Sequence, residues 1–123
     1  MFGNFENGNP YIEIEVFGIT KEKKKIKALI DTGFNGYLSL PYIDAFPLGL
    51  VLKGIESSTL ADGSISHHFV CIGSVILDGK EVTAPIEIQP TCTILMGTQL
   101  LKKLGKFINI DFPNERVELL DVK

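Results

Sequence analysis

The chain has 123 residues, 45% of them apolar and 22% charged, so it carries enough apolar surface for one folded domain and falls outside the disordered class. Twelve Lys and Arg against fifteen Asp and Glu give a net charge of -3, which excludes a broad basic face for nucleic acid. Cys71 and Cys92 are too far apart for a Cys-x-x-Cys zinc site and too few for a disulfide scaffold, and no apolar run reaches membrane-spanning length; the expectation is a cytoplasmic protein with no membrane partner and no cofactor.

Residues 1–9 are polar and Gly/Asn-rich, with neither a basic n-region nor an apolar h-region, and are expected to be flexible. Tyr11 to Phe17 alternates with period two, placing Ile12, Ile14 and Val16 on one face and Glu13 and Glu15 on the other, as in a strand with one wet side. The basic run Lys21 to Lys27, interrupted by Glu22 and Ile26, reads as a solvated hairpin end. It leads into Ala28-Leu29-Ile30, where continuous apolarity carries a strand from the edge into the core just before Asp31.

Tyr37 to Leu40 reads as another short strand, and Pro41 opens a helical turn, Tyr42 to Phe46, that Pro47 and Gly49 end. Leu50 to Ile55 resumes β character. Asp62-Gly63 marks a hairpin tip ahead of the run Ile65 to Leu77, and Asp78-Gly79 marks a second ahead of Glu81 to Gln89. Thr93 to Met96 is a brief apolar strand closed by Gly97. The helix Thr98 to Leu104 follows, with Thr98 as N-cap, Leu100, Leu101 and Leu104 as its apolar stripe and Gly105 as its stop. Phe107 to Asp111 and Arg116 to Leu120 pair around Pro113-Asn114. About eight or more short strands with one helix point to an all-β barrel or small closed sheet, one domain over residues 1–123.

The chemistry of the chain is concentrated at Asp31-Thr32-Gly33. Water attacks an amide readily only when one group removes its proton while another polarises the carbonyl oxygen, and two close carboxyls sharing a proton do both. Asp31 offers the strand-end carboxylate, Thr32 a hydroxyl to order the loop, and Gly33 close backbone approach. The tripeptide occurs once, so a paired carboxylate has to come from another molecule. His67 and His68, as neighbours on a strand, point to opposite faces; they read as exposed or flap-side residues, and no metal site is expected. No Gly-x-Ser-x-Gly elbow is present, and Asp62 is explained as a turn former without a catalytic part.

Leu29-Ile30-Asp31-Thr32-Gly33, Leu38-Ser39-Leu40-Pro41, the tip Asp62-Gly63 and Ile94-Leu95-Met96-Gly97-Thr98-Gln99-Leu100-Leu101 together resemble the retropepsin-like aspartic proteases over nearly the whole domain. With Phe34 after the glycine, the loop is most similar to a small bacterial branch reading Asp-Thr-Gly-Phe. The resemblance implies an acid-protease closed β-barrel with one short C-terminal helix, acting as a homodimer on a peptide or protein substrate. It implies Asp31 as the catalytic residue, Thr32 and Gly33 as loop supports, and a substrate-covering flap over about Thr59 to Phe69 with Ala61, Asp62 and Gly63 at its tip. Phe34 replaces the small residue usual in the retroviral enzymes, and the tip lacks their glycine richness.

Two readings follow. The first is an aspartic endopeptidase whose two Asp31 carboxylates activate water across a homodimer interface. The alternative is a catalytically silent peptide-binding or assembly module on the same fold, and a subunit of a hetero-oligomer is a third form the chain could take.

Overall fold

A computed structural model describes residues 1–90 and 93–123, so the strand context read for Cys92 lies outside the described residues. The described residues form ten strands and two helices. They run β1 (Asn4–Glu6), β2 (Asn9–Phe17), β3 (Lys24–Ile30), β4 (Leu38–Pro41), α1 (Tyr42–Ala45), β5 (Val51–Thr59), β6 (Ile65–Leu77), β7 (Lys80–Gln89), β8 (Leu95–Met96), α2 (Thr98–Leu104), β9 (Lys106–Asp111) and β10 (Arg116–Asp121). A 3-10 turn, Phe46–Leu48, follows α1.

Alternation makes the sheet one-sided where the sequence alternates. In β2, Ile12, Ile14 and Val16 are buried while Glu13 faces water. The strand order is β1-β2-β3-β8-β4-β7-β6-β5, and β2 also pairs antiparallel with β6, Glu15–Phe17 against Ser74–Ile76. That extra pairing closes β2, β3, β8, β4, β7 and β6 into a ring around one core containing Ile14, Val16, Leu38, Leu40, Val75, Ile86 and Met96. Two contacts inside the ring are parallel, β3 with β8 and β4 with β7, and α2 supplies Leu100, Leu101 and Leu104 to the same core.

The two Asp-Gly turns do as expected: Asp78 (φ 51°) and Gly79 (φ 78°) both take the left-handed region that a two-residue hairpin requires. The N-terminal segment does not. Residues 1–9, read as flexible, are paired on both sides. Asn7 (φ 51°) and Gly8 (φ 79°) form an Asn-Gly turn that joins β1 to β2. The Gly3 amide donates to the Val117 carbonyl at 2.9 Å, Leu119 donates to Met1 at 2.8 Å, and the terminal ammonium donates to the Leu119 carbonyl at 3.0 Å. Polar composition hid a hairpin that backbone hydrogen bonds hold, since these bonds are indifferent to side-chain polarity.

Three local readings also shift. Pro41 is the extended cap before α1 instead of its first residue, and Pro47 sits inside the 3-10 turn, which Gly49 ends with φ 63°. Gly97, not Thr98, caps α2, without a side-chain bond.

Candidate active site

Asp31 is the first residue beyond β3, and its backbone is fixed before its side chain. The Leu29 amide donates to the Ile94 carbonyl at 2.8 Å and the Asp31 amide to the Met96 carbonyl at 3.0 Å, so the parallel pairing with β8 holds the chain up to the carboxylate itself. Phe34 N–H then closes the turn on the Asp31 carbonyl at 3.1 Å. The Gly33 amide donates to Asp31 Oδ1 at 2.9 Å, while Oδ2 receives no hydrogen bond among the described residues. A Cβ on Gly33 would stand 3.2 Å from that oxygen, so a side chain here would crowd the amide against the carboxylate. No Lys, Arg or His forms an ion pair with Asp31 among the described residues.

The far side of the loop is tied to α2. Amides in the first turn of a helix have no partner inside the helix. Here Thr98 N–H donates to the Phe34 carbonyl at 2.9 Å, Gln99 N–H to Gly36 at 3.1 Å, and Gly97 N–H to Tyr37 at 2.9 Å. Helix and loop satisfy each other. The approach is so close that a Cβ on Gly97 would fall 2.2 Å from the Gly36 carbonyl oxygen and 2.7 Å from that of Phe34. Phe34 is half-buried, and its ring folds back over Gly36, where a Cβ would meet ring carbon Cζ at 2.5 Å. Thr32 is exposed and its hydroxyl has no hydrogen bond among the described residues.

The β5–β6 hairpin carries Ala61, Asp62 and Gly63 at its exposed tip. Asp62 Oδ1 accepts from the Ser64 hydroxyl at 2.6 Å and from the Ser64 amide at 2.9 Å, and these bonds hold the Asp62 carboxyl below its ordinary range. Gly63 has φ 86°, which favours glycine. Asp62 is thereby occupied in shaping the turn.

No protein-family model and no curated protein matches the sequence. Among solved structures, the chain superposes on the EIAV protease complexed with the inhibitor HBY-793 with a TM-score of 0.61, at 15% identity over 79% of this chain and 88% of that one. It also superposes on the simian foamy virus (mac) protease with a TM-score of 0.55, at 18% identity over 76% of this chain and 93% of that one. The fold is retropepsin-like. A ring of strands with one short helix behind the Asp31 loop is the all-β architecture that the motif order implied, and the retropepsin-like fold places Asp31 at a strand end within it.

One cluster escaped the reading of the sequence. His68 lies on β6, within the segment 59–69 as read, but it is buried instead of exposed: it is 5% exposed and faces Glu56 of β5 and Glu87 of β7. Its carboxylate neighbours come from the adjacent strands and not from ligand spacing along the chain. Counting from Asp78-Gly79 pairs Glu87 with Val70, two residues from His68, whereas Glu56 lies opposite His68 because residues 60–64 form a five-residue loop; a two-residue turn at Asp62-Gly63 would have set Ser57 there. The legible part of the signal lay in the β6–β7 register. His67 does face water, with Nδ1 2.8 Å from the Ser57 hydroxyl.

Proposed function

We propose that the chain is an aspartic endopeptidase whose active site is completed by Asp31 of a second copy. The observation that carries this reading is the state of Asp31: a strand-end carboxylate braced on one oxygen by the Gly33 amide, open on the other, and unpaired with any cation among the described residues. Half of an acid–base pair is on one chain. Thr32, exposed and without a hydrogen bond, supports the reading, because its hydroxyl is available to a partner loop. It borders an apolar concavity with Leu101, Ile108, Ile110 and Val122, a surface suited to a two-fold contact in which the same patch meets itself.

In this mechanism the two Asp31 carboxyls share one proton, since close like charges do not both ionise. The ionised member takes a proton from water as the oxygen attacks the peptide carbonyl, and the protonated member gives its proton to the carbonyl oxygen. A tetrahedral diol results. Its collapse breaks the C–N bond, with one carboxyl protonating the leaving nitrogen and the other taking a hydroxyl proton, which restores the shared-proton pair. The substrate lies extended, bound by backbone hydrogen bonds as an added strand, with Ala61, Asp62 and Gly63 closing over it. A reducing cytoplasm suits the buried free thiol of Cys71.

The test is cleavage of internally quenched peptides by the purified chain across mildly acidic to neutral pH. A statine-type transition-state mimic should block it, and Asp31→Asn should keep the dimer while lowering kcat by about 10²–10⁴-fold. Undiminished activity in Asp31→Asn would end this reading. The alternative, a peptide-binding module without catalysis, is favoured by a different feature: an apolar cavity of about 280 Å³ lined by Tyr42, Phe46, Leu52, Phe69 and Ile88. Saturable peptide binding without cleavage would select it.

A further inference from the structure

The cluster of Glu56, His68 and Glu87 spans the stem of the β5–β6 hairpin and the adjoining β7, and the proposed peptidase mechanism makes no use of it. Its centre is a buried imidazole with an unmet need: His68 Nε2 is shielded from solvent and has no hydrogen-bond partner among the described residues. A buried ring nitrogen left in that state costs free energy unless something fills its valence. Glu87 Oε1 stands 3.5 Å away, long for a hydrogen bond.

That separation has a different meaning for two ligands of one ion. With metal–ligand bonds of about 2.0–2.1 Å and a tetrahedral angle, neighbouring donor atoms stand about 3.4 Å apart. Donor atoms of all three residues lie within 4.8 Å of one another, and Glu56, on the exposed side, is free to swing the remaining distance. Glu87 is already oriented: Gln89 Nε2 donates to its Oε2 at 3.0 Å and leaves Oε1 turned toward His68. An outer group that fixes one carboxylate oxygen while the other ligates is the usual second layer of a metal site. Two carboxylates also balance the charge of a divalent ion, and the ring nitrogen selects a transition-type cation over magnesium or calcium.

We propose that Glu56, His68 and Glu87 bind a divalent transition-metal ion of the zinc class, with water in the remaining position. The ion joins β5, β6 and β7 below the hairpin tip, so its effect is to stiffen the stem that carries residues 60–64. Lys53 lines the adjoining cleft with Glu56 and Glu87 and is the competing cation.

The experiment is a Co²⁺ titration of the whole, chelator-treated chain at neutral pH, followed by visible absorption and by melting temperature. The expected result is low-coordinate Co²⁺ absorption that saturates at about one equivalent per chain and is displaced by Zn²⁺, with a rise in melting temperature. His68→Gln and Glu56→Gln should each weaken binding by about tenfold or more, while His67→Gln leaves it unchanged. Glu56 is exposed, so its variant serves if His68→Gln fails to fold, with circular dichroism as the check. Absence of saturable binding, binding unaltered by Glu56→Gln, or an equal loss in His67→Gln would overturn the proposal. None of these readouts depends on peptidase activity.

Discussion

The loop carrying Asp31 and the hairpin tip carrying Asp62 are both tight turns built from an Asp and a Gly, and the fold holds them in opposite ways. The Asp31 loop is bonded to other elements at nearly every step: Asp31 to Met96, Phe34 and Gly36 to the first turn of α2, Tyr37 to Gly97. Among the described residues the Asp62 tip is bonded only to itself, through Leu60 with Ser64, Gly63 with Leu60, and Ser64 with the Asp62 carboxylate. Residues 60–65 are all exposed. The proposed function asks for this difference, since a catalytic carboxyl needs support from rigid neighbours whereas a substrate cover must open and close. Native-state hydrogen exchange should show that contrast directly, with protected amides at Gly97, Thr98 and Gln99 and fast exchange at the tip.

Substitutions that attack the two turns sharpen the comparison. The largest effect is expected from Gly97→Ala, which drives a Cβ into the Gly36 and Phe34 carbonyls and forces loop and helix apart. A loss of about 3 kcal/mol or more by denaturant unfolding is predicted, at the upper end of overpacking costs because backbone rather than a flexible side chain is in the way. Gly63→Ala meets no atom within 4 Å but must adopt φ 86°, so it should cost only about 1–2 kcal/mol and leave the Asp31 loop intact. If the two losses were equal, the distinction between borrowed and self-contained support would fail.

The support of α2 extends to the C-terminus. Lys80 Nζ donates to the Leu104 carbonyl at 3.1 Å, and the buried Lys106 ammonium reaches Asp121 at 2.6 Å and Asp78 at 3.0 Å. The hydrogen bond from Lys106, and then its charge, hold the Asp121 carboxyl below its ordinary value. The stabilisation from Asp121 is therefore complete above its unfolded-state pKa of about 3.9 and is lost as pH falls through the lower folded-state value. Asp121→Asn should lower the melting temperature at neutral pH, and that difference from wild type should vanish as pH falls, which flattens the acid limb of the profile. Smallest in stability is Gly33→Ala, whose Cβ at 3.2 Å from Asp31 Oδ1 needs a shift of only tenths of an ångström. Its predicted signature is kcat reduced with melting nearly unchanged.

What could be read from the sequence was what local chemistry dictates. β6 and α2 have the bounds that Asp62-Gly63, Asp78-Gly79 and Gly105 set, because turns that need positive φ name their own residues. The strand end at Asp31 was legible for the same reason, as continuous apolarity stopping at a polar turn. The β2–β6 pairing that closes the ring joins residues some sixty positions apart and leaves no local trace. Thr98 looked like a cap because threonine caps helices, yet its amide is committed to the Phe34 carbonyl and Gly97 takes the cap position in extended conformation. The burial of His68 and its carboxylate neighbours were not legible, because they are set by pairing with adjacent strands and not by spacing along the chain.

The central claim is that one chain holds half of an active site. Wild-type and Asp31→Asn chains, unfolded together in equal amounts and refolded, test it through the peptidase activity of the mixture. If each site needs Asp31 from both copies, only pairs of wild-type chains act, and activity should fall to about one quarter of an all-wild-type sample. Activity near one half, falling linearly with the wild-type fraction, would mean that each chain is complete in itself and would contradict the account.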